Sequence, residues 1–413
     1  MRSKGMQKGR PVETKREGRG PGWVLLGLLP LLGLGVLLAF IVLNGAGVDR
    51  QDAPPVEDLT FGRVTLPTEN ELVVPVTNGG PDPVTVAQVN VNDALTGFRM
   101  ESGKTISRLG STEITIPYTW VEGEAYGITL ITSTGTTFDA EVPVALLTPG
   151  FSGETFFGYA LIGFYVGIVP VGLGLLWYPF LRRLGAEGVN AILALTIGLL
   201  LFLIVDTLGE AVEVAGDLAG VFSGIPLVIL VTLLTLLALL STDRLFRRFR
   251  GGAQSGSRLE TSYRISFGIG LHNLGEGLAI GAAFALGEAA LGAFLVIGFT
   301  LHNITEGVGI AAPILKEKRP RLAHFAWLGL LAGGPAIVGT LLGGFAYSPL
   351  AATVFLAVGA GAILQVIYEV GKIILKDSSA KHEAPSFSAS LSGYNLLGLT
   401  AGIAIMYATG LLV

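Results

Sequence analysis

The 413-residue chain contains no cysteine, which excludes disulfides and thiolate metal ligands. Histidine is nearly as scarce, with four copies, and charged residues make up only 14% of the chain. Any metal site must therefore be assembled from histidine, asparagine, carboxylates and water. Hydrophobic residues reach 51%, and apolar runs of about 20 residues recur. That combination indicates a polytopic α-helical membrane protein. Its inescapable partner is the lipid bilayer, and nothing points to nucleic acid.

Nine spans are expected, at about 23–43, 156–178, 189–209, 222–241, 264–286, 288–314, 323–345, 349–374 and 392–412. The basic residues sort between them. Arg2, Lys4, Lys8, Arg10, Lys15, Arg16 and Arg19 precede the first span, and Arg182 and Arg183 follow the second. Arg244 to Arg264, Lys316 to Arg321 and Lys372 to Lys381 fall in alternate connections, whereas the short opposite loops hold no Lys or Arg. By the positive-inside rule the basic tail 1–22 is cytoplasmic, while residues 45–155 and the C-terminus lie outside, with the plasma membrane as the expected location. The first span reads as an uncleaved anchor, because its apolar core exceeds the 7–15 residues usual in a signal peptide.

Residues 53–148 have a different texture. Alternating and β-branched runs such as Glu71-Leu-Val-Val-Pro-Val and Glu113-Ile-Thr-Ile-Pro-Tyr are bounded by turn clusters such as Asn78-Gly-Gly-Pro-Asp-Pro. About seven short strands fit an external all-β, immunoglobulin-like sandwich with an unidentified partner. Its scattered acids read as a solvated surface. The remaining region, 155–413, is a helical unit of eight spans, divided by a flexible basic loop at 241–264.

Inside the apolar runs, Leu-His-Asn-x-x-Glu-Gly occurs twice, at Leu271–Gly277 and Leu301–Gly307. His272 and Glu276, like His302 and Glu306, are four residues apart and so share a helix face, about 5–6 Å from each other. Ionisable groups within a membrane span are costly and mark functional sites. On antiparallel helices both motifs fall near the bilayer middle, with His272 about 13 Å deep. A hydrogen-bonded network joining two helices is the plain alternative. Two copies at matched depth, with no basic residue nearby, argue instead for a divalent cation between the carboxylates. Imidazole and carboxylate donors suit zinc, iron(II), manganese or cobalt. Gly277 and Gly281 form a small-xxx-small pair that admits a close neighbouring helix.

The paired motifs, with three spans before a basic loop and five after it, resemble the ZIP family of divalent-metal transporters across about residues 155–413. The resemblance implies an eight-helix core with a binuclear centre on its fourth and fifth helices. His272, Glu276 and Glu306 match its principal site, Asn273 matches a ligand of the second, and His302 stands where bacterial relatives often carry Gln. Asp206, Glu210 and Glu213 lie near the family's metal entrance, with solvation at the membrane interface as the alternative. Glu369 matches an acidic position on its seventh core helix, near the exit. A homodimer is implied by resemblance alone.

Three departures stand out. Asn303 replaces a common Asp, Ala332-Gly-Gly-Pro335 lacks the family's Glu-Pro carboxylate, and Gly275 and Thr305 stand where prolines are usual. The expectation is one tightly held ion at His272, Glu276, His302 and Glu306, with Asn273 and Asn303 supplying neutral oxygens at most. The metal is substrate, zinc first, and no organic cofactor is implied. Metal import by alternating access, rather than catalysis, is the leading reading. A metal sensor with an external partner-binding domain and an intramembrane metal-dependent hydrolase remain as alternatives, although the sequence lacks His-Glu-x-x-His. His324 and His382 read as ordinary solvated residues.

Overall fold

The computed structural model describes residues 22–44, 56–101, 103–249, 258–316, 320–379 and 392–411. The basic tail before Gly22, residues 250–257, Lys318, Arg319, Lys381 and His382 lie outside the described residues. The chain divides into two units, Met1–Pro55 and Val56–Val413. The first contains α1 (Gly22–Asn44), an apolar helix with Pro30 inside it and exposed side chains throughout Leu28–Ile41.

The second unit begins with ten strands in two antiparallel sheets. They are β1 (Leu59–Phe61), β2 (Thr65–Thr68), β3 (Glu71–Asn78), β4 (Val84–Val91), β5 (Ala94–Thr96), β6 (Arg99–Met100), β7 (Thr105–Ile106), β8 (Ser111–Pro117), β9 (Tyr126–Thr132) and β10 (Thr137–Val142). One sheet runs β1-β3-β8-β6 with β2 also on β3, and the other runs β10-β9-β4-β5 with β7 also on β4. The count exceeds the seven expected because β5, β6 and β7 are two or three residues long, too short to show alternation. The longer strands alternate as their sequences do. Leu72 and Val74 face Ile116 and Ile114 across one sheet, Val89 and Val91 face Leu130 and Ile128 across the other, and all eight are buried. Asn92 and Asp93, both at positive φ (47° and 64°), make the tight turn from β4 to β5.

The helices follow: α2 (Gly153–Gly163), one π-helical turn at Phe164–Ile168, α3 (Val169–Leu176), α4 (Tyr178–Leu181), α5 (Ala186–Gly216), α6 (Gly224–Phe249), α7 (Arg258–Ala285), α8 (Ala289–Ala311), α9 (Leu322–Ala346), α10 (Pro349–Ser379) and α11 (Gly393–Gly410). Among the described residues, six stretches are long and apolar enough to cross a membrane: Gly153–Leu181, Ala186–Gly216, Gly220–Ser241, Ala289–Leu315, Leu322–Ala346 and Pro349–Lys376. The protein is thus a multi-pass helical membrane protein with a small β domain. Of the other spans expected in the core, α7 and α11 are helical but fall short in hydropathy. In α7 the reason is its polar content, including Ser262, Arg264, Ser266, His272, Asn273 and Glu276. The flexible loop expected at 241–264 is a correction. α6 continues to Phe249 and α7 begins at Arg258, since Arg244, Leu245, Arg247 and Arg248 are good helix formers that extend a helix already started.

Packing sorts the helices into two groups. α7 lies mainly on α9, and α8 packs on α3, whereas α5 holds α10 and α11, and α6 packs on α10. The largest contact between the groups is α7 on α10. Small residues make the α7–α9 seam unusually tight. A Cβ added at Gly270, Gly277 or Gly281 would overlap a carbonyl oxygen of α9, and one added at Gly339 or Gly343 would overlap a carbonyl oxygen of α7.

The β domain seats on the ends of this core. Arg63 donates to the carbonyls of Ala285 and Gly344, near the C-termini of α7 and α9, where a guanidinium complements both helix dipoles. Asp58 accepts a hydrogen bond from Gly220 N at 3.0 Å, in the turn between α5 and α6. A cavity of about 520 Å³ lies between the strands and this end of the core, lined by Arg63, Glu113, Asp217 and Tyr347 among others. Burial and the charges of Asp217 and Glu210 push the Tyr347 phenol up to about 12.

Candidate metal centre

His272, Asn273 and Glu276 occupy the middle of α7, and His302, Asn303 and Glu306 the matching stretch of α8. All six are at least 94% buried. The two imidazoles converge on one atom. His272 Nε2 lies 2.8 Å, and His302 Nε2 2.5 Å, from Glu276 Oε1. The ring centroids are 6.5 Å apart. Ligand atoms of this triad all fall within 4.8 Å of one another. Two ligand atoms about 2.1 Å from a tetrahedral ion stand about 3.4 Å apart, so the closed triad needs to spread by less than about 1 Å to admit one.

Glu306 stands beside this triad, reached through an amide. Asn273 Nδ2 donates to Glu306 Oε2 at 3.4 Å, and Asn303 Nδ2 to Glu276 Oε2 at 3.3 Å. Each amide is also tethered to a backbone carbonyl. Asn303 Nδ2 donates to Val166 O at 2.9 Å, in the π-helical turn, and Asn273 Nδ2 to Ala332 O at 3.1 Å, on α9. The first tether has a local cause: Pro170 has no N–H to return to the carbonyl four residues earlier, which is Val166. Both amide nitrogens being engaged, the amide oxygens point elsewhere. Asn273 Oδ1, Asn303 Oδ1 and Glu306 Oε1 are buried without a hydrogen-bond partner. A buried acceptor left unpaired costs about 1–3 kcal/mol, and three around one His/Glu cluster supply an oxygen-rich lining that suits a cation. Within the second motif, the Thr305 hydroxyl donates to His302 O at 2.6 Å.

A cavity of about 630 Å³ reaches the cluster from the end of the core that carries the β domain. Asp206, Glu210 and Glu213 of α5, Leu295, Phe299 and His302 of α8, and Met406 and Tyr407 of α11 line it. The three acids share one face of α5, at spacings of four and three, and the cavity brings them together with His302. Glu369 lies elsewhere, ion-paired with Arg264 of α7 at 2.8 Å. His324, expected to be solvated, is half-buried, its Nδ1 lying 2.9 Å from the Tyr263 hydroxyl.

Sequence reasoning missed the Val166 and Ala332 carbonyls and the pairing of Glu369. Pro170 was the one local sign of a free carbonyl. No protein-family model matches the chain, and no curated protein matches it.

Proposed function

We propose that the protein is a membrane transporter that imports a divalent transition metal, zinc first, with iron(II), manganese and cobalt as alternatives suited to the same donors. The supporting observation is the buried His272–Glu276–His302 triad, with both Nε2 atoms on one carboxylate oxygen. With each neutral imidazole protonated at Nδ1, both Nε2 lone pairs would face the carboxylate, and a dication between them turns that repulsion into ligation. One ion is held by the triad with Glu306, completed by the unpaired oxygens of Asn273 and Asn303. Asp206, Glu210 and Glu213 gather cations at the mouth, and Glu369 receives them beyond the site. The motif pair and the order of spans support a ZIP-like transporter of eight core helices, working by alternating access between the two helix groups. In the same reading the N-terminus is cytoplasmic, the β domain and C-terminus face outward, and the location is the plasma membrane.

Proteoliposomes containing the full chain and a trapped zinc-sensitive dye test this directly. Zinc-dependent fluorescence that is lost in Glu276→Ala is expected. Absence of flux from well-folded, zinc-binding protein would reject transport. Anomalous diffraction from zinc-loaded crystals should show one fully occupied ion, and two would overturn the single-ion arrangement.

A further inference from the structure

Away from the β domain, α7 and α10 meet in three layers below the metal centre. In the first, Gly359 of α10 backs onto His272, where an added Cβ would stand 3.5 Å from Nδ1. In the second, Gly268 of α7 faces Gln365 and Val366 so closely that a Cβ would lie 2.9 Å from Gln365 Oε1 and 2.7 Å from Val366 Cγ2. In the third, Arg264 Nη2 meets Glu369 Oε1 at 2.8 Å, and Lys372 Nζ stands 3.5 Å from the other oxygen. Glu369 is only 3% exposed and Gln365 2%. Arg264 is eight residues, about 12 Å, along α7 from His272.

These layers join helices from opposite groups, α7 with α9 and α10 with α5 and α6. Two of the layers depend on glycine and are smooth. The third is a charge-assisted clasp, and it lies across the seam between the groups. Arginine stays protonated at any working pH, so the pair is not released by loss of the guanidinium's proton, and movement or a competing cation can part it.

Resting on the transport reading above, we propose that the Arg264–Glu369 ion pair is the inner gate of the pathway. Arg264 is a tethered cation on the carboxylate that an ion leaving His272 and Glu276 meets next. An arriving dication offers that carboxylate twice the charge and displaces the guanidinium, and the two helix groups then part at this end. Arg264 thus acts by positioning and release, not by ligating the metal.

The absence of cysteine makes the test clean. Val366→Cys introduces a single thiol in the layer between the site and the pair. Its reaction with a membrane-impermeant thiosulfonate is followed in vesicles presenting the Arg264 end. In Val366→Cys with no other change, labelling should be slow and should quicken on adding zinc. Arg264→Gln should raise the zinc-free rate about tenfold, the effect of about 1.4 kcal/mol of lost closed-state stability, and Glu369→Gln should do the same. The exchange Arg264→Glu with Glu369→Arg should restore slow labelling, which a packing defect would not do. Equal labelling rates in Val366→Cys alone and with Arg264→Gln or Glu369→Gln added, or an exchange variant as fast as those two, would overturn the gate. Failure of the transport reading looks different: the parent would then show no zinc flux, whatever the labelling rates.

Discussion

Replacing Glu276 by Gln tests the metal centre with almost no change of shape. One carboxylate oxygen lies 2.8 Å from His272 Nε2 and 2.5 Å from His302 Nε2, and the other accepts from Asn303 Nδ2 at 3.3 Å. Its side chain is about 3% exposed, so water cannot substitute for what the charge supplies. Removing one partner from a buried, hydrogen-bonded charge pair costs about 2–5 kcal/mol. At about 1.4 kcal/mol per tenfold, zinc should bind between about 30-fold and several-thousand-fold more weakly. Competition with a chromophoric chelator, on the full chain in nanodiscs, reads this range. Glu113→Gln, the same chemical change on β8, serves as the control and should leave affinity unchanged. An unchanged zinc affinity in well-folded Glu276→Gln would refute the claim that this carboxylate holds the ion.

Zinc binding should also weaken as pH falls through the ordinary histidine range near 6.5, because an imidazole must lose its proton to ligate. Affinity that stays level between about pH 7.5 and 5.5 would argue against the two histidines as ligands. Neutralising Asp206, Glu210 and Glu213 together should slow zinc association in stopped-flow at low salt, and the difference should shrink at about 0.15 M, where the screening length is about 8 Å. An association rate that the triple variant leaves untouched would remove these acids from the entrance. Gly277→Ala should lower thermal stability by about 1–3 kcal/mol, since the new methyl overlaps the Ala336 carbonyl of α9. Gly275→Ala, whose methyl would meet Leu356 Cδ2 at 3.5 Å, should be nearly neutral in the same melting assay.

The cluster was legible in the chain because two short-range rules coincide there. Histidine and glutamate four apart must share a helix face, and an ionisable residue in an apolar run has few reasons to be present. Neither rule identifies partners that are distant in sequence. Asn303 finds Val166 at 137 residues' separation, and Arg264 finds Glu369 at 105. The same polar content that betrays the site also lowers the hydropathy of α7, so the helix carrying the chemistry is among the least apparent as a span. In the β domain, Leu72, Val74 and Val76 announce their strand through alternation. The two-residue strands β6 and β7 contain no period to detect, and pairing with neighbours alone defines them.

Along the α7–α9 seam the glycines of each helix receive the carbonyl oxygens of the other, with no side chain between them to change rotamer. Such a joint has no slack. A fraction of a turn of slippage would drive oxygen into Cα, which opposes sliding of one helix along the other. Asn273 and the Ala332 carbonyl that steadies it sit on opposite sides of that joint, so the close packing of the two helices also holds the amide in its orientation.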